Sequence, residues 1–149
     1  MSDHYLRLVS VDPNWSPSPE AAAAAVGILA TLLPAADHVR AVGEAGVVFY
    51  DAGELAETIG CRRCGADLGD WWQGAMTQAF ASGFTDLAIV TPCCGARTSL
   101  NDLDYVYPAA FGRFALEAAN PAVADVTDEQ KAVIEAALGT RLRTVFQHL

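Results

Sequence analysis

The chain is poor in positive charge. It has nine lysine and arginine residues against 18 aspartate and glutamate residues, so its formal net charge is −9 at pH 7. Lysine occurs only at Lys131, and this shortage, beside abundant alanine, is typical of a GC-rich bacterial genome. A negative surface repels phosphate backbones and anionic lipid headgroups. The composition therefore argues against nucleic-acid binding and against a role on a membrane surface.

Long apolar runs are also missing. The longest uncharged stretch, residues 21–36, is mostly alanine and contains Pro34. It falls short of the ~20 strongly apolar residues that span a bilayer. The N-terminal residues lack the cationic start and apolar block of a secretory signal. We therefore expect a cytoplasmic protein, in which cysteines serve more often as metal ligands or redox groups than as disulfides.

The common catalytic motifs are absent as well. The sequence has no Walker-type phosphate loop, no GxGxxG and no Ser/His/Asp arrangement. His38-Val39-Arg40 lacks the glutamate of the His-x-Glu motif that a zinc deaminase requires. With 149 residues, of which 52% are hydrophobic, the chain can bury the core of one ordinary domain. We predict a single domain over residues 1–149.

Hydrophobic patterning predicts the order strand, helix, strand twice over. The predicted strands are residues 4–11, 47–50, 111–117 and 141–149, the last being the only one for which a helical tail is the alternative. Ser18 and Pro19 predict the start of the first helix, which Pro34 ends. A capping box from Thr127 to Gln130 opens the second, and Gly139 stops it. The predicted fold class is therefore α+β, in the split βαβ or ferredoxin-like order.

A cysteine-bearing segment of about residues 58–98 is inserted between the two halves. Asp70 and Gln73 have the spacing of a capping box and predict a short helix. Trp72, Met76 and Phe80 form its predicted buried stripe. A short apolar strand, residues 87–91, then leads into the second pair of cysteines.

All four cysteines fall in two compact clusters. Cys61 and Cys64 lie in Cys-Arg-Arg-Cys-Gly, and Cys93 and Cys94 lie in Pro-Cys-Cys-Gly. A Cys-x-x-Cys turn directs two thiolates at one point, and the glycine after it lets backbone N–H groups turn towards the sulfurs. Zinc in a closed four-sulfur shell contributes folding energy directly. We therefore predict one structural Zn²⁺ per chain, held by these four residues.

The first cluster resembles a zinc-ribbon knuckle, including the glycine at Gly65. The resemblance covers about six residues at each cluster, and the adjacent cysteines of the second cluster depart from it. Two alternatives stay open: a three-sulfur site completed by a histidine or water, and two pairs of free or disulfide-linked thiols. None of the histidines, His4, His38 and His148, has ligand-like spacing.

Two further features allow a functional or a purely structural interpretation. Trp71 and Trp72 are either local core against the metal turn or an aromatic anchor for a partner protein. The Asp102–Tyr107 loop, with Asp102, Asp104, Tyr105 and Tyr107, is either a solvated loop or an acid–base site. No matching base, nucleophile or glycine-rich phosphate loop accompanies the carboxylates, which favours the solvated loop.

These observations favour a non-enzymatic zinc-stabilised domain that binds another protein. An acidic surface suits a basic partner, and a regulatory adaptor or a toxin-neutralising module would meet that description. The alternative is a small enzyme that uses Cys61 and Cys64 in thiol redox chemistry or the Asp102–Tyr107 loop. The redox interpretation has less support because Gly65 follows the motif where a thioredoxin-like site would begin a helix.

Overall fold

The structure is a computed structural model that describes residues 3–52 and 58–148. Its strands are β1 (His4–Ser10), β2 (His38–Tyr50), β3 (Ile59–Gly60), β4 (Ala88–Val90), β5 (Arg97–Ser99), β6 (Asp104–Tyr105), β7 (Ala110–Ala119) and β8 (Leu142–His148). Its helices are α1 (Pro19–Leu32), α2 (Gly69–Ala81) and α3 (Asp128–Leu138), with one 3₁₀ turn at Leu100–Asp102. The α+β class is therefore confirmed. The final segment is a strand as far as His148, and Leu149 lies outside the described residues.

The main sheet has four strands in the order β2-β7-β1-β8, and every neighbouring pair is antiparallel. Helices α1 and α3 pack together on one face. The alternation predicted for β1 holds, since Leu6 and Leu8 are fully buried in the core beneath these helices. Phe114 and Leu116 of β7 join the same core, as their predicted spacing requires.

The predicted caps of the two outer helices are present. The Ser18 side chain accepts a hydrogen bond from the Ala21 amide at the start of α1. Thr127 and Gln130 form the reciprocal capping box of α3, and Gly139 ends that helix with a left-handed backbone at φ 91°. Both starts satisfy N–H groups that would otherwise have no partner, which is why local sequence is enough to predict them.

Strand β2 is longer than predicted. It begins at His38 rather than Val47, and its pairing with β7 shifts register between Gly43 and Val48. The early part is mostly exposed at one edge of the sheet, so it carries no apolar alternation that the sequence could reveal. Beyond the shift, Tyr50 pairs with Ala110. The inserted segment packs against this end of the β2–β7 pair.

The inserted elements run from β3 to β6 and form a second hydrophobic core. Two short sheets, β3-β6 and β4-β5, pack with α2 around Ile59, Leu100 and Leu103. Val47 and Phe111 contribute to the same core from β2 and β7. The insertion is thus attached to the main sheet by shared apolar side chains as well as by its two chain connections.

Helix α2 corrects two predictions. The Asp70–Gln73 capping box does not form, because the N-cap is Leu68, two residues before Asp70, and it makes no side-chain hydrogen bond. Phe80 is 70% exposed rather than buried, because Ala79 takes the inward position. Within residues 3–52 and 58–148, no helix has the length and apolar character to cross a bilayer.

Candidate metal centre

The first pair of cysteines lies at the tip of a tight hairpin. The Leu68 amide donates to the Ile59 carbonyl at 2.7 Å and closes the base of this hairpin. Nearer the tip, the Cys61 amide donates to the Ala66 carbonyl at 2.9 Å, and the Gly65 amide donates back to the Cys61 carbonyl at 2.8 Å. Gly65 has φ +77°, a left-handed conformation that a side chain disfavours. Glycine is needed here for the turn to close.

The second pair lies at the tip of a hairpin built in the same way. The Thr91 amide donates to the Ala96 carbonyl at 2.9 Å, and the Gly95 amide donates to the Thr91 carbonyl at 3.0 Å. Gly95 has φ +68°, close to the value of its counterpart. Strands β4 and β5 form the arms of this hairpin, as Ile89 pairs with Thr98. The two turns therefore have the same backbone hydrogen-bond pattern.

Matching the two hydrogen-bond patterns reveals a residue that the sequence analysis missed. Thr91 occupies the place of Cys61, and Cys94 occupies the place of Cys64. Cys93 is the additional cysteine, one residue before the shared cysteine–glycine pair. Thr91 is 1% exposed, and its hydroxyl lies 3.5 Å from the Cys94 sulfur. Aligning the two glycines in the sequence would have revealed the substitution, since Thr-Pro-Cys-Cys-Gly then lies under Cys-Arg-Arg-Cys-Gly.

The two tips face each other and bring all four sulfurs within 4.8 Å of one another. The Cys61 and Cys94 sulfurs are 3.7 Å apart, and those of Cys64 and Cys93 are 3.3 Å apart. Tetrahedral thiolates at ~2.3 Å from a zinc ion would lie ~3.8 Å from each other. Cys61 is buried and the other three cysteines are exposed. This cluster can hold one metal ion.

Backbone amides influence the ionisation of these thiols. Hydrogen bonds from the Cys64 and Arg63 amides outweigh burial and lower the pKa of Cys61 to about 6. The Thr91 hydroxyl, with help from the Ala96 amide, lowers the pKa of Cys94. These contacts stabilise thiolates, the form of cysteine that binds metals.

Cys64 shows the opposite effect. The Ala66 amide acts to lower its pKa, but the neighbouring thiols and burial together raise it to about 12. Crowding by other sulfurs opposes a further negative charge, since like charges at this distance disfavour ionisation. A divalent cation between the sulfurs would remove that repulsion.

The arginine that follows Cys61 makes its hydrogen bonds away from the sulfurs. The Arg62 guanidinium donates to the Asp102 carbonyl at 3.0 Å and to the Leu103 carbonyl at 3.3 Å. It therefore joins the first hairpin to the loop before β6. Its hydrogen-bonding capacity is partly used within the protein.

The side chains of the Asp102–Tyr107 loop lie in different environments. Asp102 forms an ion pair with Arg143 at 2.8 Å, and Asp104 is exposed in β6. Tyr105 is buried, where its hydroxyl donates to the Leu100 carbonyl, and desolvation raises its pKa to about 12. Tyr107 is exposed.

The two tryptophans have different environments, although both are half-buried. The Trp72 indole N–H donates to the Tyr105 hydroxyl at 3.1 Å, and its ring contacts Phe49 in the second core. Trp71 lines a groove between α2 and β4. Trp72 is therefore local core, while part of Trp71 is accessible to a partner.

The histidines lie away from the sulfur cluster. His4 packs against Phe146 and His148, while His38 lies 3.4 Å from the Glu117 carboxylate on the main sheet. Among the described residues, the four cysteines form the one group of three or more potential ligands close enough to share a metal ion.

Comparison with protein-family models, curated proteins and solved structures reveals no match for this chain.

Proposed function

We propose that this protein is a small zinc-binding domain in which Cys61, Cys64, Cys93 and Cys94 hold one structural Zn²⁺. The observation that carries the proposal is the convergence of four sulfurs within 4.8 Å from two matching hairpins. A donor set of four thiolates favours zinc over hard cations such as Mg²⁺ or Ca²⁺. Such a site resembles a zinc ribbon in which one hairpin has moved a ligand from the Thr91 position to the Cys93 position.

A structural role for the metal follows from the position of the site. Each hairpin is short, and β3 and β4 have only two and three residues. Two-stranded units of this size are marginally stable on their own. A metal that joins their tips would stabilise the whole insertion, because its ligands are far apart in the unfolded chain.

The sheet order supports the ferredoxin-like interpretation of the surrounding domain. Helix α1 connects β1 to β2 across β7, and α3 connects β7 to β8 across β1. These two crossings are those expected of a split βαβ arrangement, and both helices pack on one core. We place the metal unit as an insertion between its halves.

The biochemical role that we propose is binding of another protein in the cytoplasm. The chain has a net charge of −9, and the insertion exposes Phe80 on α2 and, separately, Val90 next to the half-buried Trp71. Exposed aromatic and aliphatic side chains are typical centres of protein interfaces. An acidic surface around them favours a basic partner, whether the protein acts as an adaptor or neutralises a toxin.

Metal content and thiol reactivity test the proposal directly. Protein purified without added metal should contain one zinc per chain by mass spectrometry, and its thiols should react slowly until a chelator is added. Cys61→Ser should lose both zinc and stability, whereas the control Ser16→Ala, at an exposed position outside the inserted segment, should lose neither. Absence of metal, with two or more thiols reactive at once, would contradict the site and favour thiol redox chemistry.

A further inference from the structure

An open groove of about 610 Å³ runs between helix α2 and strand β4. One wall is a single stripe of α2, with Trp71, Gly74, Ala75 and Gln78 at the spacing of one helix face. The opposite wall is β4, and all three of its residues line the groove. Because successive side chains of a strand point to opposite faces, a cavity lined by three consecutive residues lies along the strand edge.

That edge of β4 has unpaired backbone groups. Two hydrogen bonds flank β4 within this hairpin. After β4, the Thr91 amide donates to the Ala96 carbonyl, and before β4, the Leu87 carbonyl accepts from the Leu100 amide. Hydrogen-bonded positions alternate in antiparallel strands, so Ile89 also points its amide and carbonyl at β5. Val90 therefore points both groups away from β5, as Ala88 does with its carbonyl. The Ala88 amide is already bonded to the Asp86 carboxylate at 3.1 Å.

The floor of the groove suits alternate side chains of an added strand. Ile89 packs downwards against the second core, whereas Val90 points outwards and is 58% exposed. A peptide paired with β4 would direct every second side chain towards Trp71, Ala75 and the buried Leu100. Apart from its shortness of three residues, the edge has no sequence feature that would protect it, since β4 contains no proline, lysine or bulge.

The charge of the groove selects the partner. Asp86 is the one ionisable side chain among the lining residues that the structure describes. It lies at the start of the exposed edge, on a chain whose net charge is −9. The peptide residue that pairs with Ala88 would lie close to Asp86. A lysine or arginine next to that residue in the peptide would complement the carboxylate.

We infer that the groove between α2 and β4 binds an extended basic peptide segment of another protein, which adds as a third strand to the β4-β5 ribbon. Main-chain hydrogen bonds to Val90 and Ala88 would give affinity, and the pocket beside Trp71 would accept an apolar side chain. This inference rests on the proposed role in protein binding and names the surface and the chemistry of the partner.

Selection from a phage-displayed library of random nonapeptides tests the inference with the full chain. We expect enriched peptides to alternate β-branched or apolar residues with others and to carry lysine or arginine. Val90→Pro removes the outward amide and should weaken binding of those peptides at least about tenfold. The matched Val90→Thr keeps the amide and should bind within about threefold of wild type.

A second pair of variants separates blocking of the groove from damage to the fold. Gly74→Leu projects into the groove, and a Cβ at this position would have no atom within 4 Å. It should therefore fold normally, gain helix propensity and lose peptide binding. Gln73→Leu adds the same side chain on exposed helix surface outside the groove and should bind like wild type.

The inference is overturned if no peptide is enriched, or if the enriched peptides bind Val90→Pro and Gly74→Leu as tightly as wild type. Metal content is measured on the same preparations, so that the two proposals fail separately. Zinc-loaded protein that selects no peptide refutes the groove alone. Metal-free protein that binds a peptide in the groove refutes the zinc site alone.

Discussion

The role of Cys93 as a ligand can be tested by moving its thiol to position 91. Thr91 is 1% exposed and Cys61 is 3% exposed, and both begin a turn with the same two backbone hydrogen bonds. A thiol at position 91 should therefore lie where the first hairpin already places one. The variant Thr91→Cys with Cys93→Ala would convert the second hairpin into a regular Cys-x-x-Cys turn.

The expected magnitudes follow from the ligand count. A structural zinc site provides about 10–16 kcal/mol of apparent binding free energy, or roughly 2.5–4 kcal/mol for each of four ligands. At about 1.4 kcal/mol for each factor of ten, loss of one ligand should weaken binding roughly 100- to 1,000-fold. If a water molecule fills the vacated position in Cys93→Ala, the loss of zinc affinity should lie near the lower end of this range. The double variant should return to within roughly tenfold of wild type.

Competition with a chromophoric chelator measures these affinities. The matched control is Arg63→Ala, because this residue occupies the place of Cys93 in the first hairpin but offers no ligand. Its affinity should equal that of wild type. If Cys93→Ala also binds zinc like wild type, Cys93 is not a ligand and the four-sulfur assignment is wrong. If the double variant binds no better than Cys93→Ala, the equivalence of the two hairpins is wrong.

Two further predictions concern the main sheet. Burial acts to raise the pKa of Glu117, but its hydrogen bonds with Arg40 and Arg7 hold the pKa below the usual range. The carboxylate therefore contributes stability above its unfolded pKa of about 4.3, and this contribution is lost as the pH falls through the folded pKa. Glu117→Gln leaves the half-buried Arg7 without its charge partner and should cost about 3 kcal/mol in urea unfolding at pH 7. The cost should be smaller at pH 3, and equal costs at the two pH values would contradict the ion-pair account. Gly112→Ala would place a Cβ 2.6 Å from a Val9 methyl, so it should cost about 1–3 kcal/mol in the same assay, and Val9→Ala should reduce that additional cost.

The parts of the fold that depend on near neighbours could be predicted from the sequence. Ser18 caps its helix through an amide three residues away, and the Thr127–Gln130 box is equally local. The alternation of β1 and β7 is visible because one face of each strand lies under helices. Phe80 was wrongly placed because the periodicity of α2 fits more than one face, and only the packed core decides which face is inward.

The candidate site divides in the same way. The cysteine clusters predict a metal site because the residue types and their turns carry the chemistry. The equivalence of Thr91 with Cys61 depends on cross-strand hydrogen bonds that join residues five apart in each hairpin. The exposed edge of β4 could not be predicted for a related reason. The sequence pattern predicts a strand, but it does not indicate which edge of that strand pairs with another strand.

The pairing of Tyr50 with Ala110 separates connectivity from stability in this fold. The chain leaves the sheet and returns to it at two residues that already face each other, so a short turn could join β2 to β7 directly. The inserted segment, β3 to β6, is thus dispensable for the path of the backbone. It is needed to keep apolar side chains of the main sheet away from water, because its removal would expose Val47, Phe49 and Phe111. Any shortened form of the domain would need polar side chains at those three positions.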